Sequence, residues 1–257
     1  MKILTCNIRY SGADDGENAW ACRKDLCARV IAAEDADVVC FQEIWRDQYN
    51  DLVAAMPGYE THSMGDSPGG DHPQNAIFYR GATLDRVAAG GYWLSQTPHV
   101  PGSSAWESAC VRVAIWVRLR DRAARTEFRV VNTHLDHVSQ EAREHQARII
   151  CEDAAAYPDA YPQLLTGDMN CEADHPAIDV FKAGGWNDTY ARVHGVDDPR
   201  PTHHRFLGHA YDGDQGKIDW IFTRGAVGTE GAEIITTDAT GRLPSDHYFL
   251  SAVVVPG

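Results

Sequence analysis

The sequence predicts an α+β fold in which two β-sheets pack face to face with helices on the outside. Three observations carry that prediction. About a dozen apolar, strand-like runs recur along the chain, against three or four helix-like stretches. No internal repeat, low-complexity tract or linker interrupts the series, so residues 1–257 read as one domain. The hydrophobic fraction of 44% and charged fraction of 23% are those of an ordinary globular protein, and the length is ample for one core.

The elements follow in order. Residues 2–8 (KILTCNI) and 37–42 (DVVCFQ) read as strands. Between them, 19–34 places Leu26, Val30, Ile31 and Ala33 on one face at helical spacing. Strands are expected at 75–80, 84–94, 110–119 and 127–133. A second helix spans 139–157, with Ser139 as its N-cap and Glu141 in its first turn, where the helix dipole favours an acid. Further strands are expected at 162–167, 217–223, 231–236 and 247–255. The Gly/Pro-rich pieces at 65–73, 97–104 and 195–216 read as long surface loops, which often carry function.

The formal charge of −14 (23 Lys and Arg against 37 Asp and Glu) weighs against nonspecific binding to long polyanions, which depends on basic side chains displacing counterions. The start, MKILTCNI, lacks the apolar stretch of about 7–15 residues and the small-residue cleavage site of a secretory signal. No apolar run of about 18 residues suggests a membrane span. Seven cysteines form no C-x-x-C pair, and Cys6 and Cys40 sit inside strand-like runs as small hydrophobes. The expected compartment is the reducing cytoplasm.

The strand candidates share a habit of ending on polar or ionisable residues. ILTCN stops at Asn7, and VVCFQE at Glu43. RVVNTHLDH brings Asn132, His134 and Asp136 to alternate positions, and QLLTGDMN does the same with Asp168 and Asn170. KIDWIF sets Asp219 between Ile218 and Trp220, and LPSDHYFL delivers Asp246 and His247 ahead of the last strand. Taken singly, each has an ordinary reading as a turn cap, a solvated strand end or a satisfied core histidine. Asp219 resists that reading, because an ionised carboxylate in an apolar run needs a partner. If the set converges, Glu43, Asp246 and Asn7 are hard oxygen ligands suited to Mg²⁺ or Mn²⁺. Zinc lacks an HExxH or Cys/His cluster, and the histidines of THHRF (202–206) are adjacent rather than spaced as ligands. Nucleophile-elbow, Walker A and dinucleotide-binding glycine patterns are all missing.

In their order, Asn7, Gln42-Glu43, Thr133-His134-Leu135, Gly167 to Asn170, Lys217 to Asp219 and Ser245 to His247 resemble the endonuclease/exonuclease/phosphatase superfamily, across nearly the whole chain. NIRYSGADDGENAWACRK (7–24), GYWLSQTPHVPGS (91–103), SAWESACVRVAIW (104–116) and NTHLDHVSQEAR (132–143) further resemble a small bacterial, deadenylase-related subgroup. The resemblance implies a four-layer α/β/β/α sandwich with two mixed sheets. It implies a metal held by Glu43 with Asn7 and Asp246, and a water oriented or deprotonated by Asp168. Asn170 contacts the scissile phosphate, His247 is held by Asp219, and His134 contacts a phosphate oxygen or the leaving group. Arg9 and Arg112, from the subgroup stretches, are either phosphate contacts or, for Arg112, a strand-face salt bridge; Asp136 on its own is a loop cap. Trp20, Trp93 and Trp106 form an aromatic wall or, the favoured reading, ordinary packing. The implied substrate is a phosphorylated small molecule; the alternatives are DNA or RNA cut by the same centre, or binding without catalysis. The sequence departs from the subgroup at 71–76, where Pro73 and Gln74 stand in place of an expected glutamate and aromatic.

Overall fold

A computed structural model describes residues 1–65, 72–196, 200–237 and 241–257. Two mixed six-stranded sheets pack against each other. The first is built from β1 (Lys2–Asn7), β2 (Val38–Gln42), β3 (Tyr59–Met64), β4 (Asn75–Arg80), β11 (Val227–Ile235) and β12 (Phe249–Pro256), in the order β11-β12-β1-β2-β4-β3. The second holds β5 (Leu84–Trp93), β6 (Val113–Asp121), β7 (Glu127–His134), β8 (Gln163–Asp168), β9 (Asn187–Asp188) and β10 (Asp219–Arg224), in the order β5-β6-β7-β8-β10-β9. Helices α1 (Trp20–Glu34) and α2 (Arg46–Ala55) pack with the first sheet, and α3 (Gln140–Ala155) and α4 (Pro176–Ala183) with the second. A short α5 (Thr189–His194) follows β9. Among the described residues no helix is long and apolar enough to cross a membrane.

Strand alternation explains why the central strands read as unbroken apolar runs: both faces are buried. Ile3, Val38, Cys40 and Ile77 of the first sheet meet Ile115, Val130, Leu164 and Ile221 of the second in the middle layer. The intervening residues Leu4, Val39 and Phe78 point outward to Leu26, Val30 and Leu52. On the opposite side Val131, Leu165 and Phe222 cover Ala147, Ile150 and Phe181.

The sequence-predicted strands are present, with shifted ends: the strand expected at 110–119 begins at Val113 and runs to Asp121. Ser139 caps α3, its Oγ accepting the Ala142 amide at 3.2 Å while donating to the Trp106 carbonyl at 2.8 Å. Ser139→Ala is expected to cost about 1 kcal/mol and lower Tm by a few degrees in a thermal melt. The expectation of a loop over 65–73 falls mostly on 66–71, outside the described residues, as does Asp71 of the 71–76 stretch.

The topology gathers the polar strand ends. β1 runs parallel to β2 and β7 parallel to β8, so all four carboxyl ends point to one end of the sandwich. The antiparallel strands β10 and β12 begin there, which adds Asp219 and the Asp246-His247 pair. Register sets His134 beside Asp168 on one side and Asp219 beside it on the other. Beneath that end a buried polar bracket joins the sheets. Gln42 Nε2 donates to Thr5 Oγ1 at 3.1 Å and to Asn132 Oδ1 at 2.6 Å, and Asn132 Nδ2 donates to the Phe41 carbonyl at 2.8 Å. Asn132 thus fixes one sheet on the other.

Candidate active site

Eight of the ten sequence-predicted site residues line one cavity of about 600 Å³: Arg9, Glu43, Arg112, His134, Asp168, Asn170, Asp246 and His247. The other two stand immediately behind them. Asn7 donates through Nδ2 to Glu43 Oε1 and to Asp168 Oδ2, both at 3.0 Å, while its Oδ1 accepts the Arg9 amide at 3.0 Å. Asp219 Oδ2 lies 2.9 Å from His247 Nδ1, which answers the puzzle of a carboxylate in an apolar run.

Local backbone aims these groups. Arg9 (φ 53°), Glu43 (φ 58°) and Asn170 (φ 48°) all adopt left-handed conformations just beyond strand ends, which costs about 1–3 kcal/mol for a side chain that is not glycine. Hydrogen bonds hold them there. Glu43 Oε2 accepts the Tyr10 amide at 3.2 Å, and Asp168 Oδ1 accepts the Asn170 amide at 2.9 Å. The Asn170 side chain donates to the Leu135 carbonyl at 3.0 Å, tying the β8 end to the β7 end. Gly167 permits the approach of these parallel strands: with φ 151°, a Cβ there would meet the Thr133 carbonyl oxygen at 2.0 Å.

Two residues given no site role from the sequence, Arg23 and the motif residue Ser245, clamp the loops. The buried Arg23 guanidinium donates to the carbonyls of Ile8 (2.8 Å), Arg9 (2.8 Å) and Pro244 (2.9 Å), joining α1, the β1 end and the loop before Asp246. Ser245 Oγ donates to the Asn7 carbonyl at 2.7 Å. The fully buried Asp136 accepts the amides of Ala109 (2.8 Å), Val138 (2.9 Å) and Ser139 (2.7 Å), so it is a cap pinning two loops together. Arg112 Nε stands 4.0 Å from Asp136 and its Nη2 3.1 Å from His137 Nδ1. Arg9 forks onto Asp15 with two 3.1 Å bonds and reaches within 3.8 Å of Asp246.

The electrostatics split the titratable groups. Burial works against a charged His247, yet Asp219, Asp246 and Asp168 outweigh it and push the imidazole up to about 10. Burial, together with Arg112, His247 and His137, presses His134 well below its usual value, with its Nε2 3.5 Å from Asp168 Oδ2. Burial and the neighbouring Asp219 raise Asp168, against the pull of His247. Asp246 goes the other way: its burial is more than offset by His203, His247 and Arg9, which hold it well below the carboxylate range. Two histidines and two aspartates therefore sit side by side in different protonation environments, a pattern typical of functional sites.

Tyr10, Trp45, Gln74, Cys110, His137, His203 and Ile218 complete the cavity lining. Trp45 stacks on His72 with centroids 4.1 Å apart and lies 5.1 Å from Tyr10. The three tryptophans considered from sequence are elsewhere: Trp20 is buried and bonded to Asp51, Trp93 packs against the middle layer, and Trp106 stacks on His145. Gln74, at the departure from the subgroup pattern, faces the cavity, and its carbonyl accepts the Ile44 amide at 3.2 Å. The donor set suits a divalent cation: the Glu43 and Asp246 carboxylates share a cavity, and the ligand atoms of His203, Asp246 and His247 lie within 4.8 Å of one another.

The sequence profile of the Endonuclease/Exonuclease/phosphatase family matches residues 4–247. The chain is similar to an endonuclease/exonuclease/phosphatase of Bacteroides vulgatus of known structure, with 30% identity, TM-score 0.91, and coverage of 100% of this chain and 98% of that one. It is also similar to the mannosyl-6-phosphatase of Bacteroides thetaiotaomicron VPI-5482, with 26% identity, TM-score 0.89, and 99% of each chain covered. Among curated proteins, Nocturnin of Drosophila melanogaster is 29% identical over 169 residues, 61% of this chain and 25% of that protein, so the match spans about a quarter of the relative's length. The chain belongs to the endonuclease/exonuclease/phosphatase family, whose members are hydrolases acting on phosphoester bonds, and its acidic and histidine groups could hold a metal ion.

Proposed function

We propose that this enzyme hydrolyses the phosphoester of a small phosphorylated metabolite or nucleotide with Mg²⁺ or Mn²⁺, as a single domain spanning 1–257. One observation carries the reading: in a cavity of about 600 Å³, two arginines (Arg9, Arg112) and four histidines (His134, His137, His203, His247) face three carboxylates. That volume suits a small ligand. Two arginines gathered in one cavity of a chain of net charge −14 favour a compact anion over a long polyanion. The likeness to a mannosyl-6-phosphatase supports the same class of substrate. Seven free cysteines support a cytoplasmic location.

The residues divide the work by geometry. Glu43 and Asp246, with the Asn7 amide beside them, hold the cation, which when bound neutralises charge on the phosphate oxygens. Arg9 and Arg112 bind the phosphate from two sides. Asp168, fixed by Asn7 and by the Asn170 amide, orients the attacking water and takes its proton. Asn170 contacts the scissile phosphate. His247, braced by Asp219, carries positive charge toward the oxygens that become more negative as the ester bond breaks. His134 contacts a phosphate oxygen or the leaving group.

The test is a panel of phosphomonoesters, phosphodiesters and oligonucleotides, each with and without EDTA. EDTA-sensitive release of phosphate from small substrates is expected. Salt-sensitive oligonucleotide cleavage beside inert small substrates would instead assign the pocket to a nuclease. Glu43→Gln is expected to shift the Mg²⁺ titration of activity to higher concentration, and an unchanged titration would remove Glu43 from the ligand set.

A further inference from the structure

His203 belongs to the THHRF stretch, whose adjacent histidines gave no ligand spacing in the sequence. The fold supplies the spacing instead. Residues 202–204 zip onto 246–248: the His204 amide donates to the Asp246 carbonyl at 2.8 Å, the Tyr248 amide to the Thr202 carbonyl at 2.8 Å, and His203 pairs with His247 across an antiparallel bridge. The His203 ring is therefore fixed beside Asp246, 4.7 Å from the His247 ring, and it lines the cavity. Gln215 Oε1 lies 3.1 Å from His203 Nδ1. Nδ1 is thus the nitrogen turned to Gln215, and Nε2 is the nitrogen turned into the cavity, 3.7 Å from Asp246 Oδ2. An imidazole whose rear nitrogen is held by an oxygen acceptor, leaving the other nitrogen turned to a site shared with a carboxylate, is oriented as metal-ligating histidines usually are.

We propose that His203 is a nitrogen ligand to the divalent ion held beside Asp246, and that it biases this site away from Mg²⁺ toward ions that accept imidazole, such as Mn²⁺ and Co²⁺. The inference rests on the reading of the cavity as a metal centre. Its physical basis is ligand hardness. Mg²⁺ prefers oxygen and retains its waters, whereas an added imidazole raises affinity for first-row transition ions. The competing role is an imidazolium ion-paired with Asp246, and it predicts the opposite sign. A cation at that point repels a metal, so removing it would tighten metal binding.

The experiment is calorimetric titration of the full chain with Mg²⁺, Mn²⁺ and Co²⁺, for the wild type, His203→Ala, His203→Gln and Glu43→Gln, with visible spectra of the Co²⁺-loaded proteins. Side-chain exposure of 24% makes both His203 substitutions tolerable to the fold, which thermal melts in EDTA verify. The wild type is expected to bind Mn²⁺ and Co²⁺ more tightly than Mg²⁺. Both His203 variants are expected to lose on the order of 10–100-fold in Mn²⁺ and Co²⁺ affinity, to keep Mg²⁺ affinity, and to show an altered Co²⁺ spectrum. Unchanged or tighter Mn²⁺ binding with an unchanged Co²⁺ spectrum would overturn the proposal. If Glu43→Gln abolishes binding while the His203 variants do not, the metal centre stands and only His203's part in it falls. A wild type that binds none of the three ions sinks both readings.

Discussion

Asp168→Asn is expected to lower turnover by on the order of 10²–10⁴-fold while leaving the chain folded. The substitution preserves shape, but its single amide oxygen can replace only one of the two acceptors, Oδ1 for the Asn170 amide (2.9 Å) or Oδ2 for Asn7 Nδ2 (3.0 Å). What it removes is the ability to take a proton from water and one negative charge beside His247, whose Nε2 lies 3.9 Å away. Initial rates at saturating metal, with circular dichroism as the control for folding, check this. Wild-type rates would take the general-base role from Asp168. His247→Ala is expected to lose a similar factor but to cost stability as well. It strips the ring from Asp219, a residue only 1% exposed whose Oδ1 already has no hydrogen-bond partner, and a buried carboxylate left alone is expensive.

Gly167→Ala is expected to destabilise the protein by about 3 kcal/mol or more, since it combines backbone strain with overpacking. Its φ of 151° disfavours any side chain, and the added methyl would press to 2.0 Å from a backbone carbonyl rather than from a side chain that could swing away. The Thr133 carbonyl belongs to β7, so relief requires β7 and β8 to separate where His134 and Asp168 stand side by side. A Tm lowered by roughly 5–10 °C is therefore expected together with a loss of turnover. A melt within a degree of the wild type would show that the strand pair can open without penalty.

The sandwich was legible because burial on both faces writes itself as plain apolar runs: KILTCN, VVCFQ and NAIFYR appear as β1, β2 and β4. The site was legible for a related reason. A strand that stops on a carboxylate has no use for it in the core, and parallel pairing then sends several such ends to one place. Short helices were harder to see. α2 starts where Gln48 Oε1 accepts the Trp45 amide at 3.0 Å, α4 starts on Pro176, and α5 is capped by Asp188, signals of one or two residues each. Arg23 carried no signal of its clamping role, because some of the loops it joins lie far away in sequence, as with Pro244. The neighbourhood of His203 was hidden for the same reason: Asp246 is brought to it by an antiparallel bridge between 202–204 and 246–248 that no local pattern announces. Asn132 carried a motif-like position, yet its work is to lock one sheet to the other.

The most direct measurement follows inorganic phosphate released from a small phosphomonoester by the purified enzyme, first stripped with EDTA and then titrated with Mg²⁺ or Mn²⁺. Release should be absent in the stripped protein, return in a saturable way as the ion is restored, and stay absent in Asp168→Asn at every ion concentration. Hydrolysis that persists in EDTA, or that returns equally in Asp168→Asn, would contradict the assignment of this cavity as a metal-dependent phosphoesterase centre.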